Sequence, residues 1–195
     1  VTLILTGYIF FGKQFIRLWV GDSYSDSYII GLMLMLSVYV PCFQNIGLEI
    51  QKAKNMHKAR SVVYLLISIV NVIITIPFSM WLNGIGAALA TLICMFFGTV
   101  IFMNIYNYKR VGIDIPRFWK SIVRILPGII IPIIAGIIIM RFIDINSYWT
   151  LLLAVLAYCA VFFASVWFIS MNKYEKGLFT TPIKKIINKL RKKAV

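Results

Sequence analysis

Residues 28–60 read YIIGLMLMLSVYVPCFQNIGLEIQKAKNMHKAR, and the fold class is decided inside them. From Tyr28 to Ile50 a single charge, Glu49, interrupts an apolar run, and Lys52, Lys54, Lys58 and Arg60 follow at once. A helix rising about 1.5 Å per residue needs about 20 such residues to cross a hydrocarbon core of about 30 Å. The run therefore reads as a membrane span that ends in a basic, water-facing loop. The rest of the chain agrees: 61% of its 195 residues are hydrophobic and 13% charged, against roughly 25% charged in a soluble domain.

Working outward, the same pattern recurs. Six hydrophobic segments are expected, at 1–11, 28–50, 62–81, 85–105, 122–140 and 148–171. The fold class is an all-α membrane protein, a polytopic helical bundle with about six transmembrane helices. Residues 1–171 form the transmembrane region and 172–195 a basic amphipathic tail. The chain opens at Val1 inside an apolar run without an initiator Met, so it is expected to be a fragment whose preceding part is missing.

The basic residues set the orientation, because short loops rich in Lys and Arg stay on the cytoplasmic side. The loops after the second and fourth segments and the tail hold 17 of them, and the other connections hold three: Lys13, Arg17 and Arg141. This alternation places the carboxyl terminus of a multi-pass chain in the cytoplasm.

Within the second segment Ser37, Pro41, Asn45, Glu49 and Lys52 recur at spacings of 4, 4, 4 and 3, one face of a continuous helix. Such a face is too polar for lipid and should line the bundle interior or a wet cavity. Pro41 removes a helix hydrogen bond and should bend the span. Glu49 and Lys52 have a second reading, as markers of the cytoplasmic end of the helix. In the third segment Tyr64, Ser68, Asn71, Thr75 and Ser79 form a milder polar face suited to helix packing. Ala87, Ala90, Thr91, Cys94 and Gly98 make a small-residue face on the fourth. The fifth and sixth segments, rich in Ile and aromatics, with Pro127, Gly128, Pro132 and Gly136 bending the fifth, are expected to be peripheral and lipid-facing. In the tail, Thr181 and Pro182 open an amphipathic helix with Ile183, Ile186, Ile187 and Leu190 on one face. It either rests on the anionic leaflet or stays solvated.

Several chemistries find no residues. Cys42, Cys94 and Cys159 stand singly in three segments and His57 is the only histidine, so no metal site, cofactor or catalytic triad is expected. Asp22, Asp26, Asp114, Asp144 and Glu175 lie in loops or the tail, where they form no acid–base pair for a membrane-embedded glycosyltransferase or acyltransferase. The net charge of +14 comes without a nucleic-acid-reading module, and no nucleic-acid partner is expected.

A resemblance adds what composition does not supply. The stretch Gly12-Lys-Gln-Phe-Ile-Arg-Leu-Trp-Val-Gly21 with Tyr24, then central Pro41, the basic loop from Lys52 to Arg60, Asn71 and the run Gly84-Ile-Gly-Ala-Ala-Leu-Ala-Thr91, resembles the second half of Wzx-type polysaccharide flippases. These belong to the MATE-like multidrug/oligosaccharidyl-lipid/polysaccharide exporters. The likeness covers most of residues 8 to 110 and is shared in looser form with multidrug exporters, the nearest alternative. It implies the carboxyl-terminal lobe of a two-lobed transporter plus two extra helices. The implied location is a bacterial cytoplasmic (inner) membrane, and the implied substrate an undecaprenyl-pyrophosphate-linked oligosaccharide, moved for cell-surface polysaccharide synthesis. The implied partners are membrane lipids, that substrate, the missing amino-terminal lobe and a polysaccharide polymerase. On this reading the substrate path takes Arg17, Ser37, Gln44, Asn45, Glu49, Lys52 and Asn71. The amides would meet sugar hydroxyls and the cations phosphate, with most of the cationic lumen supplied by the missing lobe.

Overall fold

Every apolar run becomes helix in the computed structural model, which describes residues 1–56, 58–124, 126–172 and 174–177; no strand occurs among them. The tail helix expected from Thr181 and the single His57 lie outside the described residues. By length and composition three helices can cross a membrane, or four if the bent pair Ile115–Val123 and Pro127–Phe142 counts as one span.

The first helix, α1 (Thr2–Trp19), runs eight residues past the expected end at Phe11 and carries Lys13 and Arg17 on its last turns. It stops at Gly21, whose φ of 101° is open to glycine and strained for other residues. α2 (Asp26–Phe43) and α3 (Asn45–Ala53) replace the single expected second span. The helix breaks at Gln44, three residues after Pro41, where ψ rises to 0° and the Gln44 N–H is shared between the Val40 and Pro41 carbonyls. Proline thus acts as expected, but by interrupting the helix rather than merely bending it.

The third and fourth segments join in one hydrogen-bonded run, α4 (Lys58–Met95), broken at Asn83 by φ 51° and ψ −132°. The run is a hairpin. Asn71 hydrogen-bonds Thr91, and a side chain at Gly98 would collide with Ile67. In a straight helix residues 20 apart stand about 30 Å from each other. Asn83 therefore separates a first limb, 58–82, from a second that begins at 84. The second limb continues through a π-helical stretch (Phe96–Phe102), α5 (Met103–Tyr106) and a further π turn (Asn107–Val111), and ends on left-handed Gly112.

Beyond it, α6 (Ile115–Val123) is a short amphipathic helix whose N-cap Asp114 accepts the Arg117 backbone N–H at 3.0 Å. α7 (Pro127–Phe142) and α8 (Tyr148–Ser165) form an antiparallel pair. A capping box at Ser147 and Thr150 starts α8, and the Ser165 hydroxyl donates to the Gly128 carbonyl at 2.7 Å.

The apolar core lies where α1 meets α7 and α8. Phe11, Ile145, Leu151, Ala154, Tyr158 and Phe162 are buried together, with Phe10 and Met140 against them. The fifth and sixth segments, expected to be peripheral, therefore have two faces. Ile130, Ile134, Ile137 and Ile138 point outward, while Ile129, Tyr158 and Phe162 are buried inside. α2 bridges this core to α4: Tyr8 of α1 stacks on Tyr28 with ring centroids 5.4 Å apart, and its hydroxyl donates to the Tyr28 carbonyl at 3.2 Å.

Candidate functional site

Polar side chains gather at the end of the bundle where α3 meets the second limb of α4, beside Lys52, Lys54 and Arg60. Gln44 and Gln51, seven residues apart, turn inward from the broken second span and are buried. The Gln44 amide donates to the Thr99 carbonyl at 3.2 Å and to Asn104 Oδ1 at 3.1 Å. Gln51 donates to Asn107 Oδ1. Lys54 closes the row by donating to the Val111 carbonyl at 2.6 Å, which tops the π turn with a cation where helix carbonyls are left over. The Thr99 carbonyl that accepts from Gln44 lies within the π-helical stretch.

The expected stripe is divided by the break at Gln44. Ser37 is buried but spends its hydroxyl on its own helix, at 2.7 Å from the Leu34 carbonyl. Asn45, Glu49 and Lys52 are exposed. The helical phase is reset at Gln44, so residues 41 and 45 no longer continue one face. Glu49 and Lys52 form an ion pair at 2.8 Å with side chains 69% and 55% exposed. Exposed helix pairs of this kind are worth roughly 0.3–0.5 kcal/mol, so an incoming anion or cation opens the pair at little cost.

Lys52 lines an open groove of about 670 Å³ between α3 and the first limb of α4, with Leu48, Arg60, Ser61 and Tyr64. Arg60 lies over the Tyr64 ring at 5.2 Å and donates to its hydroxyl at 3.2 Å. Stacking fixes the guanidinium while most of its five N–H donors stay free for a ligand. The groove thus offers two cations and two hydroxyls on an apolar wall, a set that suits a phosphate joined to polyhydroxylated material.

Two expected path residues stand elsewhere. Arg17 is exposed at the other end of α1 and donates to Asn146 Oδ1 at 2.8 Å, which ties α1 to the α7–α8 connection. Asn71 sits inside the hairpin, accepting from Thr75 at 3.0 Å and meeting Thr91 across the limbs at 3.4 Å. That is the packing role expected for its segment. Of the seven residues, only Gln44, Asn45, Glu49 and Lys52 share one region of the molecule, and within it Gln44 faces inward while the other three face out.

Sequence reasoning passed over Gln51, Thr99, Asn104, Asn107 and the Arg60–Tyr64 pair. The spacing of seven from Ser37 to Gln44 to Gln51 was the available signal for the buried face, and Asn104 with Asn107 at i, i+3 for its partner. Among the described residues no three His, Cys, Asp or Glu side chains come together to hold a metal ion, and the three cysteines are free. No family model matches the sequence, and neither a curated protein nor a solved structure matches it.

Proposed function

We propose that the chain is the carboxyl-terminal lobe and two added helices of a polysaccharide flippase, six spans in all, with its basic end in the cytoplasm of a bacterium. It would carry an oligosaccharide linked to undecaprenyl pyrophosphate across the inner membrane rather than catalyse a reaction. The observation that carries this reading is the open groove at the basic end. Lys52 and Arg60 supply charge for a pyrophosphate, Ser61 and Tyr64 supply hydroxyls, and Asn45 and Glu49 stand exposed on the same short helix. A sugar chain with an anionic linker does not cross hydrocarbon unaided, and a wet groove between helices is what such cargo needs. The fold-back of α4 at Asn83 supports counting its limbs as two spans, and the bent pair α6–α7 adds the fifth.

α1 is the sixth. Its Lys13 and Arg17 sit near one end, where long basic side chains reach the interface. A multidrug exporter would instead be expected to present acidic groups deep in the membrane, and Glu49 is exposed midway along the short α3.

The test is complementation of a flippase-null strain by the full-length gene carrying Lys52→Gln or Glu49→Ala. Reduced surface polysaccharide at normal protein level is expected for both. Restoration equal to that of the parent by both variants would remove this groove from the transport path.

A further inference from the structure

A second hollow lies on the lipid-facing side of the α4 hairpin. It is an apolar cleft of about 510 Å³, with Val63, Ile67, Val70 and Ile74 on the first limb and Phe97 and Phe102 on the second. The cleft exists because Gly98 has no side chain there. Any Cβ at that position would run into Ile67, so the limbs approach closely at this point and part on either side of it. Its volume is that of an ordinary small-molecule site. The first-limb wall has a regular stripe: 63, 67, 70 and 74 follow one another at spacings of 4, 3 and 4. Arg60 stands three residues before Val63 on the same limb, its guanidinium over Tyr64 at the edge of the polar groove, so a cation lies about one helical turn from the head of an apolar channel about 16 Å long.

We propose that this cleft is a binding site for one anionic phospholipid of the surrounding leaflet, its acyl chain between the limbs and its phosphate on Arg60. Charge complementarity selects the occupant. The channel matches a hydrocarbon chain, and the only described charge along its stripe is a guanidinium that uses one N–H on Tyr64. A planar fork of N–H donors at the interface binds a phosphodiester more tightly than a zwitterionic headgroup, whose own ammonium opposes the cation. Arg60 also lines the polar groove, so a lipid held there would set the guanidinium's position at that groove's edge. The site needs only that the hairpin lies in a bilayer. It stands or falls apart from the flippase reading.

The experiment is native mass spectrometry of the intact, delipidated chain titrated with phosphatidylglycerol or phosphatidylcholine. The parent is expected to retain one phosphatidylglycerol with a preference of about fivefold over phosphatidylcholine. Arg60→Gln should abolish the preference and keep weak binding of both lipids. Val70→Trp, which fills the cleft, should lose both, whereas Leu65→Trp on the outward face of the same limb should change neither. Val70→Phe fills less of the cleft and gives the same reading if the Trp variant elutes as an aggregate. An undiminished preference in Arg60→Gln, or equal losses in Val70→Trp and Leu65→Trp, would overturn the proposal. So would displacement of phosphatidylglycerol by inorganic phosphate alone. Binding of polyprenyl phosphate about tenfold tighter than phosphatidylglycerol would also overturn it, by making the cleft a substrate site.

Discussion

The two sides of the molecule are held together by different means. Where α1 meets α7 and α8, aromatic rings meet at tilted or edge-on angles, Phe11 against Tyr158 at 5.5 Å and Phe10 against Tyr158 at 5.8 Å. Where α3 meets the second limb of α4, buried amides make the contact: Gln44 with Asn104, Gln51 with Asn107. Ring packing depends on shape and has no alternative partner in lipid. A side-chain hydrogen bond between membrane helices averages only about 0.6 kcal/mol, because the separated helices find other partners. The aromatic side should therefore resist separation more than the amide side, which lies next to the open groove.

The largest effect should come from the aromatic side. Tyr158 is 1% exposed, and Tyr158→Ala is expected to cost about 3–5 kcal/mol, the range for large aromatics cut to Ala in a packed core. Unfolding in mixed micelles followed by circular dichroism measures it. A loss smaller than that of the best amide variant would invert the comparison.

The hairpin between the two sides comes next. Cysteines at 71 and 91, with Cys42, Cys94 and Cys159 replaced by Ser, should form a disulfide under mild oxidation, because the parent side chains touch. A loop of this length is stabilised by about 3 kcal/mol on closure. Failure to cross-link would count against the fold-back at Asn83 and against the proposed division of α4 into two spans.

On the amide side, Asn107→Leu leaves the buried Gln51 amide without its partner and should cost about 1–3 kcal/mol. Replacing both, Gln51→Leu with Asn107→Leu, should recover most of that loss, since two apolar groups of similar shape pack without an orphaned donor. A double variant worse than the sum of the singles would mean that the row acts by shape rather than by hydrogen bonds.

That the chain is helical, with three or four helices long and apolar enough to cross a membrane, was legible in the sequence, and so was Pro41 as a disruptor; Asn71, read both as a packing residue and as part of the path, sits inside the hairpin. The face of the second span was not legible. Reading 37, 41, 45, 49 and 52 as one stripe assumes an unbroken 3.6-residue period, and the break at Gln44 resets that phase. Ser37 is buried as the stripe requires, but beyond it Gln44 and Gln51 point inward instead of Asn45, Glu49 and Lys52, a choice made by Thr99, Asn104 and Asn107, 55 to 60 residues away. Local periodicity carries no information about such partners. The same limit applies to Arg60: it reads as one of a basic cluster until Tyr64, one turn on, is seen beneath it.

The smallest effect on stability is expected at the groove itself, and it is the most informative about the division between scaffold and site. The Glu49 side chain is 69% exposed and pairs with Lys52, three residues on. Glu49→Gln keeps the side chain's shape and hydrogen bonding and removes the charge, so the lost pair should cost no more than about 0.5 kcal/mol. Ile130→Ala on the outward face of α7 is the matching control. Ile130 is 55% exposed, its side chain points out of the bundle, and a shift of similar size, within about 0.5 kcal/mol, is expected for a surface change of this kind. The two variants should therefore be indistinguishable in unfolding midpoint and differ only in surface polysaccharide, which Glu49→Gln lowers and Ile130→Ala leaves alone. If Glu49→Gln instead shifts the midpoint as far as Asn107→Leu does, the carboxylate is part of the amide scaffold. The open groove would then be a by-product of how α3 is pinned to the second limb, not the place where cargo is met.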